Sequence, residues 1–334
     1  MGPKQRVTLE DVAREAGVST MTVSRVVNHT GRISEATRQH VQEIIARLGY
    51  RPSRAARALV TNRTSMLGVI VPDITNPYFS KIVQGIEDIA TEADYSVLLV
   101  NTNETPAREE AALNQLDDST IDGLILCSSR LSEETLAPLL EHHRAVISVT
   151  RPLSRHLVSC VLPRHEFGTR AVEAFRFLAQ HGHERMGLVY LKRSFVTTYV
   201  DEFIAALAAE GIDCKEEWAT GCLPTWEAGY AAGKQLLAAQ PSLTAVVGGN
   251  DLVALGVMRA AIEMGRRIPD DLAIVGGDDI LLASQVTPPL TTFNVPKYEI
   301  GVMAARLLFR RMEGDTEYRE HIYDETLVRR ESAP

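Results

Sequence analysis

The segment Thr8–Asn28, TLEDVAREAGVSTMTVSRVVN, reads as two short helices around a Gly-Val turn, with Ser, Thr and Arg leading the second. Hydroxyls and a guanidinium at a helix N-terminus suit phosphate oxygens and base edges. A helix-turn-helix of this kind implies double-stranded DNA as partner. The charge distribution agrees. Residues 1–63 hold eleven Lys/Arg against five Asp/Glu, while the rest of the 334-residue chain holds 24 against 38. A basic end on an acidic body is the electrostatic footprint that DNA binding requires.

Local signals position these residues. Thr8 can cap a first helix with Asp11 three residues on, Gly17 permits the turn, and Ser19 can cap the second helix. Ser34 can cap a third helix, in which Val41, Ile44, Ile45 and Leu48 form an apolar stripe ended by Gly49. The basic, Ala-rich stretch 51–64 then reads as a linker or a conditionally folded helix. Beyond it come short apolar runs: MLGVIV (66–71), SVLLV (96–100), GLILC (123–127), AVISVT (145–150), MGLVYL (186–191), AVVGGN (245–250) and LAIVGG (272–277). Helical stretches separate them near 79–93, 107–118, 132–143, 167–181, 199–210, 226–239 and 251–265. This alternation predicts two doubly wound parallel sheets, with small ligands bound outside the carboxyl ends of the strands.

Several classes are disfavoured. The chain has no P-loop, no G-x-G-x-x-G after a strand, no G-x-S-x-G and no metal-spaced His pair, so neither an enzyme nor a cofactor or metal is expected. Cys127, Cys160, Cys214 and Cys222 lack CxxC spacing and read as reduced thiols. The N-terminus lacks a signal-peptide stretch and no run reaches membrane length, so a cytoplasmic protein is expected, not a secreted solute-binding protein with the same core.

The headpiece motifs TLEDVAREAGVSTMTVSRVVN, ISEATRQHV and LGYRPSRAARAL resemble the LacI/GalR family of bacterial repressors. So do GVIVPDITNPYFSKIVQGIE, IDGLILC, HEFGTRAVEAF, GNDLVALGVMRA, IPDDLAIVGGDD, PPLTTFNVPKYEIG and LVRRES in the body. The resemblance implies an all-α headpiece (1–50), a hinge helix (51–64) and a periplasmic-binding-protein-like α/β core (65–334). The core would divide into an N-subdomain (65–162 plus 293–322) and a C-subdomain (163–292 plus 323–330). It further implies a homodimer on a palindromic operator, without a membrane partner. Thr20, Met21 and Arg25 become base-edge readers; Ser19, Thr22 and Asn28 become caps and phosphate contacts. Leu59 would wedge into the minor groove, with Arg54 and Arg57 on the backbone, although Val60 departs from the polar residue of some members.

For the effector, matching positions nominate Tyr78, Phe79, Asn250 and Asp278, groups that stack on a sugar ring and take hydroxyls. The departures carry a second expectation. Tyr199 stands where many sugar-binding members carry an arginine, Thr150-Arg151 replaces an Asp-Arg pair, and Arg164-His165 replaces Asp-Asn. Arg193 beside Lys192 is a further ligand-facing position, and Trp226 can substitute for an aromatic where Pro224 stands. Arg151 and Arg193 together predict an anionic ligand, a sugar acid such as gluconate or 2-ketogluconate, since guanidinium matches carboxylate geometry. Parts of the chain also resemble the family's 2-ketogluconate-responsive members. A neutral sugar or a nucleobase is the alternative. By the family's logic the effector induces release from DNA.

Overall fold

The computed structural model describes residues 7–28, 30–50, 63–117, 119–154, 158–163, 167–192 and 199–334, leaving out the side chains of 167–169 and 199–202. It divides into two compact units, Met1–Ser65 and Met66–Pro334.

In the first unit three helices form, α1 (Leu9–Ala16), α2 (Thr20–Val27) and α3 (Glu35–Leu48). Their ends follow from local chemistry. The Thr8 hydroxyl accepts from the Asp11 amide while the Asp11 carboxylate accepts from the Thr8 amide, which satisfies two donors that α1 would otherwise orphan. Gly17 (φ 64°) and Gly49 (φ 65°) end α1 and α3 in the left-handed region, where a side chain is strained. Val12, Ala13, Ala16, Val23, Val26, Val41 and Ile44 close a small core between the helices.

The second unit is built on two parallel sheets. The first contains β1 (Met66–Val71), β2 (Ser96–Asn101), β3 (Gly123–Cys127), β4 (Val146–Val149), β5 (Ser159–Pro163) and β11 (Glu320–Tyr323), in the order β11-β5-β4-β3-β1-β2. The second contains β6 (Met186–Leu191), β7 (Ala219–Cys222), β8 (Ala245–Gly248) and β9 (Ala273–Val275), in the order β7-β6-β8-β9. A small antiparallel pair joins β10 (Thr292–Asn294) to β12 (Thr326–Val328). Strands β1, β3, β4, β8 and β9 are buried almost throughout, as runs covered on both faces must be. β2 is an edge strand and stays half-exposed.

Helices cover both faces of each sheet. The first sheet carries α4 (Pro77–Glu92) and α12 (Lys297–Met312) on one side, and α5 (Pro106–Gln115) and α6 (Glu133–Leu140) on the other. The second carries α7 (Phe167–Gln180) and α8 (Tyr199–Ala209) on one side, and α9 (Trp226–Ala239) and α10 (Asp251–Glu263) on the other. α4 and α12 touch backbone to backbone. A Cβ at Gly301 would stand 2.0 Å from the Ile82 carbonyl oxygen, so only glycine allows that approach. A short helix, α11 (Leu281–Gln285), follows β9.

The chain crosses between the sheets three times: after β5 into α7, after β10 into α12, and from β11 to β12 through Asp324 and Glu325. These crossings, and the loops at the carboxyl ends of the strands, position the site.

Candidate DNA-reading face and effector cleft

The N-terminus of α2 presents one outward face. Ser19, Thr20, Met21 and Arg25 are exposed, while Val23 and Val26 of the same helix are in the core. Met21 is 62% exposed, which suits a methyl-reading contact. No acidic residue stands in the first turn, so the positive end of the helix dipole is unopposed. The Ser19 hydroxyl accepts from the Thr22 amide at 3.1 Å and meets the Thr22 hydroxyl at 2.9 Å. Asn28 donates to the Ser24 hydroxyl at 3.2 Å. These three residues therefore shape the helix ends, which leaves Thr20, Met21 and Arg25 as the outward set. Arg54, Arg57 and Leu59 lie outside the described residues, as do residues 51–62 of the hinge helix expected over 51–64.

In the second unit Tyr78 and Phe79 begin α4 behind an Asn76 cap, whose side-chain oxygen accepts from the Tyr78 amide at 3.0 Å. Both rings are buried and meet edge to face at 5.2 Å. Burial raises the Tyr78 hydroxyl above its usual pKa, and the nearby Asp278 carboxylate raises it further. Tyr78, at the carboxyl end of the first sheet, therefore lies within electrostatic reach of Asp278, at the carboxyl end of the second.

Asp278 is buried, and its loop is held from several sides. Asp251, the first residue of α10, accepts from the amides of Gly277 (2.8 Å), Asp278 (3.3 Å) and Ile280 (2.8 Å), and from the Thr292 hydroxyl (2.5 Å). Lys297 gives its ammonium to the carbonyls of Asp278, Asp279 and Val295. Arg170 of α7 donates to the Gly277 carbonyl and forms a bidentate pair with Glu325, at 3.1 and 2.5 Å. Its guanidinium also stands 3.6 Å from the Asp278 carboxylate. Burial, reinforced by Asp251, pushes the Asp278 carboxyl up to about 8, against the pull of Arg170 and Lys297.

The other nominated positions fall differently. Asn250 caps α10, accepting from the Val253 amide at 2.9 Å, and its amide nitrogen donates to the Pro224 carbonyl at 3.4 Å. Trp226 is 39% exposed and stacks on Tyr230 with ring centroids 5.7 Å apart. Arg151 is buried and donates to the carbonyls of Ser129 and Leu131, so it braces the loop after β3. Two carboxylates share that work. Glu109 accepts from Ser129 and from the Arg130 amide, while Glu104 pairs with the Arg130 guanidinium. Arg193 lies outside the described residues with Arg164 and His165, and the Tyr199 side chain is not described.

Sequence reading missed Arg170, Asp251, Lys297 and Glu325. Arg170 had one available signal, a charged side chain on the otherwise apolar face that Ala174 and Phe177 continue. Thr150 was noted only as a departure. It sits at φ 63° after β4, its hydroxyl buried and without a hydrogen-bond partner among the described residues. Among those residues no cluster of His, Cys, Asp and Glu could hold a metal ion, and no helix is long and apolar enough to cross a membrane.

Comparison with known proteins agrees with this arrangement. Residues 8–53 match the model of the bacterial regulatory proteins of the lacI family, and residues 175–333 match a periplasmic binding protein-like domain. Catabolite control protein A of Priestia megaterium is 35% identical over 313 residues, covering 93% of this chain and 94% of that protein. The transcriptional regulator CelR–cellobiose complex is 30% identical with a TM-score of 0.71, covering 98% and 100% of the two chains. The lac repressor dimer bound to operator and the anti-inducer ONPF is 25% identical with a TM-score of 0.86, covering 98% and 99%. The chain belongs to the LacI family: it is a LacI-type DNA-binding transcriptional repressor with an effector-binding domain, and not an enzyme.

Proposed function

We propose that the protein is a cytoplasmic homodimer that holds a palindromic operator through Thr20, Met21 and Arg25 of each copy and releases it when a small hydroxyl-rich molecule fills the cleft between the two sheets. The observation that carries the ligand class is that the buried Tyr78 ring and the Asp278 carboxyl, at the carboxyl ends of the two sheets, lie near enough to interact electrostatically. A carboxylate accepts two hydroxyls at once and an aromatic flanks a ring face, the chemistry of a sugar site. One similar solved structure is the complex of a transcriptional regulator with cellobiose, which agrees with a neutral ligand.

The sugar-acid reading needs a cation to meet the ligand's carboxylate. Arg151 spends donors on Ser129 and Leu131, Lys297 donates to three carbonyls, and Arg170 is paired with Glu325. An acid such as gluconate or 2-ketogluconate is therefore left to Arg193, and the described geometry weighs toward a neutral sugar. Calorimetric titration with D-glucose, D-ribose, cellobiose, D-gluconate, 2-ketogluconate and hypoxanthine separates the readings. A neutral sugar is expected to bind and to weaken operator binding. Tight binding of an acid alone would return the site to the anionic reading, and a ligand that tightens operator binding would sink induction.

The homodimer has its own support. Leu281 and Leu282 on α11 are 70% and 43% exposed, apolar surface that a second copy would cover. Leu281→Asp together with Leu282→Asp is expected to give monomers in sedimentation and to lower operator affinity at least about 100-fold, because the two half-sites no longer act as one. An unchanged dimer would place the interface elsewhere.

A further inference from the structure

The mechanism above does not use the buried pair between Arg170 and Glu325, yet its placement is singular. Arg170 stands in the first turn of α7, just after the first crossing between the sheets. Glu325 is itself part of the third crossing, and Lys297 is the first residue after the second. All three converge on the loop Gly277–Asp279. Arg170 donates to the Gly277 carbonyl, Lys297 donates to those of Asp278 and Asp279, and Glu325 acts through its two bonds to Arg170. Any opening or closing of the cleft turns on the backbone angles of these crossings. The loop that carries Asp278 is therefore fastened to every segment that must move.

We infer that Arg170 and Glu325 are positioning residues that relay the state of Asp278 to the hinge: Asp278 and Glu325 compete for one guanidinium, so a change at Asp278 alters how firmly the third crossing is held. This rests on the reading that the cleft holds the effector and that Asp278 meets it. The geometry shows one resting position of the competition. Glu325 has the bidentate contact, and Asp278 stands 3.6 Å away. When Asp278 is neutral the guanidinium belongs to Glu325, and when Asp278 is ionised the guanidinium is drawn toward it. A ligand hydroxyl on Asp278 shifts the same balance.

The proton is a probe that needs no knowledge of the ligand. Five charged groups meet at this place: Arg170 and Lys297 against Asp251, Asp278 and Glu325. Asp251 on α10 accepts from three amides and a hydroxyl, yet burial raises its carboxyl above the ordinary range. Lys297 on α12 donates to three carbonyls while burial lowers its ammonium below the usual range, and Asp279 is engaged by Arg330 at 2.6 Å. Tyr78 on α4 lies above its usual range, and Cys127 at the end of β3 is pushed up to about 12. Asp278, pushed up to about 8, changes charge between pH 6 and 10, and the Asp278→Asn variant separates its part from those of Asp251 and Lys297.

The test uses the full chain with fluorophores on Glu110→Cys and Glu217→Cys, exposed positions on opposite halves, diluted into unlabelled protein. The four native cysteines are buried and stay unlabelled. Energy transfer is expected to change through one transition with a midpoint near pH 8. Asp278→Asn should abolish that transition, and Glu325→Gln should abolish it or move its midpoint by at least one pH unit. Arg170→Lys, which keeps the charge but not the fork, should act as Glu325→Gln does, and it serves should the glutamine variant not fold. A merely structural pair would lower the melting temperature and leave the profile in place. A flat wild-type profile, or a wild-type profile in both hinge variants, overturns the relay. Calorimetry tests the cleft reading separately: a sugar bound equally well by wild type and Asp278→Asn defeats that reading whatever the transfer profile shows.

Discussion

Arg25→Ala is expected to lower the dimer's affinity for a palindromic operator, selected by the wild-type protein from random duplexes, by between about 30-fold and about 10,000-fold. A guanidinium gripping a guanine bidentately in the major groove discriminates by about 1–3 kcal/mol, and a two-fold dimer loses that twice. The side chain is exposed and its helix core is formed by Val23 and Val26. The melting temperature should therefore stay nearly constant, as surface changes usually shift stability by under about 0.5 kcal/mol. Binding to unrelated DNA should fall much less, since phosphate contacts carry that part and the basic headpiece keeps most of its charge. Anisotropy titrations on operator and on scrambled DNA measure both. An equal loss on the two would make Arg25 a backbone contact.

Asp278→Asn carries the second large effect, in two measurements. If Asp278 takes hydroxyls of the effector, Asp278→Asn should weaken that ligand between about 5-fold and about 150-fold, since the amide turns one acceptor oxygen into a donor and a polar group left unsatisfied costs about 1–3 kcal/mol. The variant should also change how stability depends on pH. The native carboxyl titrates at about 8, above the ordinary value of 3.8 that the unfolded chain has. Between those values the native state holds a proton that the unfolded state has released. The stability from that proton is complete below about pH 4 and is lost as pH rises through about 8. One proton corresponds to about 1.4 kcal/mol per pH unit, so wild type should lose stability relative to Asp278→Asn by about that slope between pH 5 and 7. Urea titrations of both proteins at several pH values test it. Parallel curves would mean that Asp278 is ionised in the native protein throughout.

These two sites were legible in the sequence to different degrees, because they depend on different ranges of contact. The headpiece caps act over three residues, Thr8 with Asp11 and Ser19 with Thr22, so residue type and spacing suffice to place them. The short apolar runs likewise announced β1, β2, β3, β4, β6, β8 and β9. Strands β5, β7, β10, β11 and β12 were not read. None of them lies in a continuous apolar run of the kind that marks the others, and β11, Glu-His-Ile-Tyr, sits at the edge of its sheet, where propensity is a weak guide. α12 was not read either; it packs against α4 through Gly85 and Gly301, a close approach between segments more than 200 positions apart.

The sequence alone determined the headpiece, its basic charge, the alternating α/β body and, through resemblance, the family. Each of these rests on neighbours a few residues apart or on motifs carried whole. What only the tertiary structure decided is how the cleft's charges are spent. Arg170 and Glu325 are 155 positions apart and Asp251 and Thr292 are 41 apart, so no local pattern pairs them. Arg151 read as a cation waiting for an anion, and the fold turned it onto the carbonyls of Ser129 and Leu131. Burial makes such choices compulsory, because a guanidinium removed from water must find acceptors wherever the chain brings them. A charged residue's type can be read from sequence, but its partner is set by which distant segments the fold packs against it.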